Sequence, residues 1–212
     1  MFDIILIFQL IVLVFSVMIH EIAHGSVAFS LGDPTAKNEG RLTLNPLKHI
    51  DIFGSIILPL LLLLSSVFSG GPGIIFGWAK PVPINPYNFK DQKWGSLKVA
   101  VAGPATNFAV AIFFGLLIRF LNIPVQDNFF QFLSIIVIYN FSLALFNLVP
   151  IPPLDGSHIL LGIFPIFSRK AMIFLQQYGL IILVFVLFSG GFYFLNGIIV
   201  WLFQLTTGVN LF

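Results

Sequence analysis

The chain has 212 residues, of which 58% are hydrophobic and only 8% are charged, and its mean hydropathy is +1.03. This composition excludes an ordinary soluble domain and is typical of a polytopic membrane protein, here expected to form one integral membrane domain over residues 1–212. The net charge of +2 gives no reason to expect a nucleic-acid partner. Because the chain has no cysteine, disulfides and thiolate metal ligands are excluded.

The first apolar stretch predicts a helix over residues 3–31, ended by Gly32. Within it, His20, Glu21 and His24 form an H-E-x-x-H motif. Residues four apart share a helix face, so the two imidazoles can bind one metal ion beside the Glu21 carboxylate. Buried in a membrane span without a task, such groups would cost on the order of 3 kcal/mol for a central charge. A functional metal site is therefore favoured over a chance match.

The next stretch holds short segments of mixed character. Residues 40–44 alternate like a short strand, with an ordinary loop as the alternative. Residues 74–84 combine β-forming side chains with two prolines, which predicts a second extended segment. Between them, the apolar residues 52–68 are near the lower length limit for a membrane span. They either cross the membrane or enter it and return to the same side.

Four apolar stretches follow. The lengths of residues 99–118 and 129–149 predict two membrane spans, and residues 171–188 are also long enough to span. Residues 192–205 are short for a span and are interfacial or re-entrant. Polar amides lie within the first two of these stretches. They are Asn107, Asn140 and Asn147, the last two being seven residues apart on one helix face.

A third metal ligand is expected after residue 149. The helix cannot continue through the prolines of residues 150–153, and broken backbone at membrane depth is tolerated where protein or a wet cavity surrounds it. Asp155 follows this break and is a strong candidate ligand. His158 is a rival of suitable chemistry.

The positive charges indicate a topology. If residues 52–68 re-enter, then loops 37–48 and 80–98, together with Arg169 and Lys170, place nine Lys and Arg residues on one face, against Arg119 alone on the other. If residues 52–68 span, this bias disappears. The positive-inside rule favours the first arrangement and makes the basic face cytoplasmic, with the metal nearer to it.

Three motifs together carry a family resemblance. They are the H-E-x-x-H motif, the segment A-G-P-A-T-N at residues 102–107, and the run N-L-V-P-I-P-P-L-D-G at residues 147–156. In this order, on membrane segments, they resemble the site-2 protease family of intramembrane zinc metalloproteases, in the compact form without a PDZ or CBS domain. The resemblance covers most of residues 15–165.

The resemblance implies an all-α polytopic membrane protein with a three-helix catalytic core, about four to six membrane segments and short membrane-associated β segments. It implies Zn²⁺ held by His20, His24 and Asp155, with Glu21 as general acid and base. Asn147, and by its place in the second motif Asn107, would hold substrate or orient the site.

The implied activity is hydrolysis of a peptide bond within or near a transmembrane segment of a membrane protein substrate. The implied location is the lipid bilayer of a prokaryotic cell membrane. A non-proteolytic zinc-binding membrane chaperone or transporter is the alternative, since ionisable side chains inside spans also serve ion pathways. The presence of Glu21 argues against it, because a carrier site needs no general base beside its ligands.

Overall fold

A computed structural model of the chain describes residues 2–51, 57, 80–163, 169–191 and 193–210. Every regular element in this part of the chain is helical, which agrees with the predicted all-α class but not with its short β segments. Single 3₁₀ turns occur at Pro46–Lys48 and Pro86–Asn88. The helices are α1 (Phe2–Ser30), α2 (Thr35–Asn38), α3 (Gly95–Leu121), α4 (Asn128–Asn147), α5 (Asp155–Ile163), α6 (Arg169–Phe188) and α7 (Tyr193–Thr207).

Three helices in the described ranges are long and apolar enough to cross a membrane, namely Ile4–Ser30, Gly95–Leu121 and Asn128–Asn147. The apolar segments in α6 and α7 are shorter. Their lengths and compositions are those of an integral membrane protein, and the helices predicted from the apolar stretches at α1, α3 and α4 are confirmed. The predicted span or re-entrant segment at residues 52–68 lies outside the described residues, apart from residue 57.

The core is built where α3 packs against both α1 and α4, which also contact each other. An apolar cluster joins α3 and α4 to α7; it contains Ala111, Ile118, Phe130, Leu133, Val137, Phe141 and Phe203. Gly115 of α3 allows this close packing, since a Cβ there would lie 2.7 Å from Oγ1 of Thr206. The three long helices thus form one packed unit.

Local signals fix the helix ends. Gly32 has φ +108°, a left-handed conformation that glycine adopts readily, so the chain turns away just after α1. Asp127 caps α4 by accepting a hydrogen bond from the Phe129 amide at 2.9 Å. The proline-rich stretch after Asn147 then separates α4 from α5, as predicted.

The predicted strand at residues 40–44 is wrong, because these residues form a turn and bends. The guanidinium of Arg41 instead donates to the carbonyls of Lys80 and Pro81, at 2.8 and 3.1 Å. Residues 80–84 are not in a strand either, and residues 74–79 lie outside the described part. Pro81 and Pro83 lack the amide N–H groups that a strand ladder requires, so side chains hold this segment.

Candidate metal centre

His20 and His24 lie one turn apart on α1, and both side chains are buried. Nδ1 of His24 lies 2.7 Å from the carbonyl oxygen of Val99, and Nδ1 of His20 lies 2.6 Å from Oδ1 of Asn107. Both partners are hydrogen-bond acceptors, so each Nδ1 carries the proton and donates it. In the neutral imidazoles, each Nε2 therefore keeps a free lone pair.

Asp155, the first residue of α5, completes the cluster. Its Oδ2 lies 3.0 Å from Nε2 of His20 and 3.3 Å from Nε2 of His24, and the two Nε2 atoms are 3.0 Å apart. Oδ2 is buried without a hydrogen-bond donor. Two lone pairs and a carboxylate oxygen that face one another favour a cation between them.

The donor set fits zinc. Tetrahedral ligands about 2.0–2.1 Å from Zn²⁺ would lie roughly 3.3 Å from one another, close to the three observed separations. Nitrogen and carboxylate oxygen are both ordinary zinc ligands, and three protein ligands leave one position open. Among the described residues, His20, His24 and Asp155 are the group whose ligand atoms converge in this way.

Gly103 of α3 makes room for the two imidazoles. A Cβ built on this residue would overlap the Nε2 atoms of both His20 and His24. Gly103 belongs to the A-G-P-A-T-N segment singled out in the sequence, but only the structure identifies the histidines as the groups that it approaches. Gly156 has a similar effect on the third ligand: a Cβ there would overlap the Leu148 carbonyl, so α5 can begin against the end of α4.

A buried network links His20 to all three long helices. The amide nitrogen of Asn107 donates to Oδ1 of Asn140 at 2.8 Å and to the Ser16 carbonyl at 3.2 Å. The amide nitrogen of Asn140 donates to Oγ of Ser16 at 2.9 Å. Asn107, which the second sequence motif singles out, therefore contacts the candidate metal cluster through His20. Ser16 is missed, although it lies four residues before His20 and so shares its helix face.

Glu21 lies beside the cluster and lines a cleft of about 350 Å³ together with His24 and Asp155. Its Oε2 accepts a hydrogen bond from the Val82 amide at 2.8 Å. The cleft walls are mixed, with apolar side chains next to the polar ones. His158 also lines this cleft, but it is exposed and is not part of the convergent group.

Asn147 is not brought into the ligand group. It is half-buried at the end of α4, where its amide donates to the Leu143 carbonyl one turn earlier at 3.0 Å. Asn140 and Asn147 share a helix face, but their contacts differ. Only Asn140 of these two residues takes part in the network around His20.

Asp33 anchors one wall of the cleft. It is fully buried and receives hydrogen bonds from the Asn85 amide at 2.7 Å and the Asn88 side chain at 2.8 Å, as well as from Thr35. Burial alone would raise the pKa of Asp33, but these donors stabilise the carboxylate and hold its pKa below the usual 3.8. The loop before α3 is thereby tied to the end of α1.

Comparison with known proteins identifies the family. Residues 122–190 match the profile of peptidase family M50. A Bacillus subtilis protein named "Putative zinc metalloprotease YwhC" is 38% identical over 182 residues, which cover 82% of this chain and 77% of that relative. Two proteins named "Putative zinc metalloprotease Rip2" are also similar. The Mycolicibacterium smegmatis protein is 28% identical over 82% of this chain and 64% of its own length, and the Mycobacterium tuberculosis protein is 26% identical over 90% and 71%.

No solved structure matches the chain significantly. The sequence similarity to the Bacillus subtilis protein nevertheless extends over most of both chains, and the convergent histidines and aspartate fit the zinc dependence of these metalloproteases. The chain therefore belongs to peptidase family M50, the site-2 protease family of zinc metalloproteases.

Proposed function

We propose that this protein is an intramembrane zinc endopeptidase, which hydrolyses a peptide bond within or near a transmembrane segment of a membrane protein substrate. One observation carries the proposal: Nε2 of His20, Nε2 of His24 and Oδ2 of Asp155 converge beside Glu21, on a helix long and apolar enough to span a membrane. A carrier site would use the same ligands, but it would not need the adjacent carboxylate.

His20, His24 and Asp155 would hold the zinc. The ion, when bound, supplies a Lewis acid that polarises water and the scissile carbonyl. The protein orients its own ligands: Asn107 and the Val99 carbonyl each accept the Nδ1 proton of one histidine, which directs Nε2 inward. We assign Asn107 as an orienting residue and Asn147 as a contact for substrate at the end of α4.

Glu21 would act as the general base and then as the general acid. It removes a proton from the attacking water, whose hydroxyl oxygen bonds to the peptide carbonyl carbon. When the C–N bond breaks, Glu21 returns that proton to the leaving amine. Because Oε2 accepts the Val82 N–H, Oε1 is the oxygen left for this exchange.

The substrate must reach the site in an unwound form, because the carbonyls of a helix are engaged in its own hydrogen bonds. His20 lies ten residues before Ser30, or about 15 Å along α1 from its C-terminal end. Apolar residues of an unwound span would lie against Val82, Ile84 and Val99 in the cleft. The proposed partners are a membrane protein substrate and the lipid bilayer, with no nucleic acid. In this proposal the metal site lies nearer the cytoplasmic face of the membrane.

Replacement of Glu21 tests the proposal. Glu21→Gln keeps the shape and leaves His20 and His24 unchanged, so zinc content should stay near that of the parent. Loss of a positioned general base typically lowers the rate by about 10²–10⁴. The measurement is cleavage of a reconstituted transmembrane substrate, with zinc content determined on the same samples.

Glu39→Gln is the matched control, because Glu39 is exposed and lies outside the cleft. It should cleave at the parent rate. Parent-rate cleavage by Glu21→Gln with full zinc would refute the assigned role of Glu21. A parent protein that binds zinc and cleaves no membrane substrate would instead support the chaperone or transporter class.

A further inference from the structure

The segment opposite Glu21 offers a single backbone donor between two prolines. Pro81 and Pro83 have no amide N–H, so Val82 carries the one N–H group in residues 81–83. That N–H donates to Oε2 of Glu21 at 2.8 Å. Proline fixes its own φ and restricts the residue before it to extended conformations, so Pro83 restricts Val82 and limits where its N–H can point.

Buried side chains hold both ends of this segment. On one side, the buried Arg41 donates to the carbonyls of Lys80 and Pro81, and the Lys80 amide donates to the His49 carbonyl at 2.9 Å. On the other side, Asp33 accepts the Asn85 amide at 2.7 Å. The Val82 amide is therefore fixed relative to the helix that carries Glu21.

Helix α1 also packs closely against residues 81–83. A Cβ built on Gly25, one turn after Glu21, would lie 2.8 Å from Cγ1 of Val82 and 2.6 Å from Cδ2 of Leu42. Such separations are shorter than real Cβ contacts allow, so a larger residue at position 25 would force the side chains of Val82 and Leu42 to shift. Glycine at this position permits the distance at which the Val82 amide reaches the carboxylate.

We propose that the Val82 N–H is a positioning group for the general base. It binds Oε2 of Glu21 and thereby directs Oε1 toward the water in the cleft. The inference rests on the catalytic role proposed above for Glu21 and adds the group that sets its orientation. Without the N–H, the carboxylate would rotate among several side-chain conformers, of which only some present an oxygen to the water.

Loss of the hydrogen bond between the Val82 amide and Glu21 should change kcat rather than KM. Val82 would act through Glu21 on the chemical step, so its loss should lower kcat and leave KM nearly unchanged. Misplacement of a catalytic group by about 1 Å can cost about 10²-fold in rate. We therefore expect a loss of kcat of about tenfold to a hundredfold, with zinc content equal to that of the parent.

The sharpest test replaces one amide by an ester. Incorporation of the α-hydroxy acid analogue of valine at position 82 removes the N–H and keeps the side chain. The matched control is the corresponding ester at Asn85, which removes a bond that anchors the same segment but does not touch Glu21. The ester at position 82 should show the kcat loss, and the ester at position 85 a smaller one. Val82→Pro removes the same N–H by mutation and should show the kcat loss, but it also removes a side chain that lines the cleft, so its KM should rise as well.

Amide hydrogen exchange gives a readout independent of cleavage. In Glu21→Ala, the Val82 amide loses its acceptor and should exchange at least about tenfold faster than in the parent. The Lys90 amide, which donates to the Leu31 carbonyl at 2.8 Å, should exchange at the parent rate. Unchanged exchange at Val82 would show that Glu21 does not engage this amide and would overturn the proposal.

The kinetic outcomes separate this inference from the proposed function. A protein that cleaves substrate and is stopped by Glu21→Gln, but keeps its kcat with the ester at position 82, overturns the inference alone. Equal kcat losses from the esters at positions 82 and 85 would do the same, because they would indicate general loosening of the segment. A parent that cleaves nothing would overturn both.

Discussion

Nε2 of His20 lies 3.0 Å from Nε2 of His24, and in the neutral rings neither nitrogen can donate to the other, because each ring has its one proton on Nδ1. Two lone pairs held this close repel each other unless a cation separates them. The hydrogen bonds at the far side of each ring therefore set up the metal site in advance. They also limit how far the rings can turn when the third ligand is changed.

The first prediction concerns that third ligand. Asp155→Ala removes the carboxylate oxygen that lies 3.0 Å from His20, while His158→Ala removes an exposed side chain on the cleft wall. Loss of a partner outside the ligand sphere typically costs 10–100-fold in metal affinity, so loss of the ligand itself should cost more than about 100-fold. His158→Ala should bind zinc like the parent. Elemental analysis of both purified proteins checks this, and the reverse pattern would identify His158 as the ligand.

The second prediction concerns the space around the imidazoles. Gly103→Ala places a methyl group where both Nε2 atoms lie, so the rings must turn and the ligand set is disrupted. Zinc affinity should fall by at least about tenfold, with helix content retained. A competition titration with a zinc chelator measures this affinity.

Gly115→Ala is the matched control for that experiment. It introduces the same methyl group on the same helix, where it would lie 2.7 Å from Thr206 and about 18 Å along the helix from Gly103. This variant should lose stability through the packing of α3 on α7 and keep the zinc affinity of the parent. If both variants lost zinc equally, the effect of Gly103→Ala would be a general one on folding.

The parts of the site that the sequence predicts are those set by local spacing. His20, Glu21 and His24 are predictable because four residues make about one helical turn. For the third ligand, the sequence leaves a choice between Asp155 and His158. The proline break indicates that a ligand-bearing segment follows, but not which side chain points inward. Ser16 and Gly103 act across helix interfaces, and their roles depend on the register between α1, α3 and α4, which no single helix determines.

The predicted strand at residues 40–44 fails for a related reason. Alternating apolar and polar side chains are typical of a strand that pairs with a neighbour. The neighbouring segment here contains Pro81 and Pro83, so it offers few backbone N–H groups for pairing. Arg41 satisfies the carbonyls of Lys80 and Pro81 instead. A long-range contact by one side chain is not visible in the local pattern, although a buried arginine is unusual enough to need such partners.

The third prediction concerns acid stability. The folded pKa of Asp33 is lower than its usual 3.8, so its stabilising contribution is complete above about that pH and is lost as the pH falls through the folded pKa. Asp33→Asn keeps the size but removes the charge that accepts from Asn85 and Asn88. It should cost about 1–3 kcal/mol at neutral pH, because buried charged hydrogen bonds are lost.

Thermal unfolding of metal-free protein across the acid range checks this. The parent should lose stability between about pH 5 and about pH 2, and Asp33→Asn should lose less over the same interval. Chelation beforehand removes the separate effect of zinc release. Glu39→Gln, at an exposed position, should follow the parent curve. An Asp33→Asn curve parallel to that of the parent would show that Asp33 does not contribute to the acid transition.

The last prediction concerns which loops share a side of the membrane. The loop around Asn88 is bound to the end of α1, since Asn88 donates to Asp33 and the Lys90 amide donates to the Leu31 carbonyl at 2.8 Å. Asn38 ends α2, which begins directly after the same end of α1. These contacts place the basic loops 37–48 and 80–98 on one side, the arrangement that the charge asymmetry favours.

Single cysteines report this directly, because the native chain has none. Asn38→Cys and Tyr87→Cys introduce exposed thiols, Tyr87 being 90% exposed, and both should react with an impermeant reagent from the cytoplasmic side. Gln126→Cys is the matched control beyond the far end of α3, which at 27 residues is about 40 Å long, and it should react only from the opposite side. Labelling of positions 38 and 87 from opposite faces would contradict the contacts between Asn88 and Asp33. Labelling of both from the outside would keep those contacts but reverse the orientation, and would move the metal site to the outer half of the bilayer.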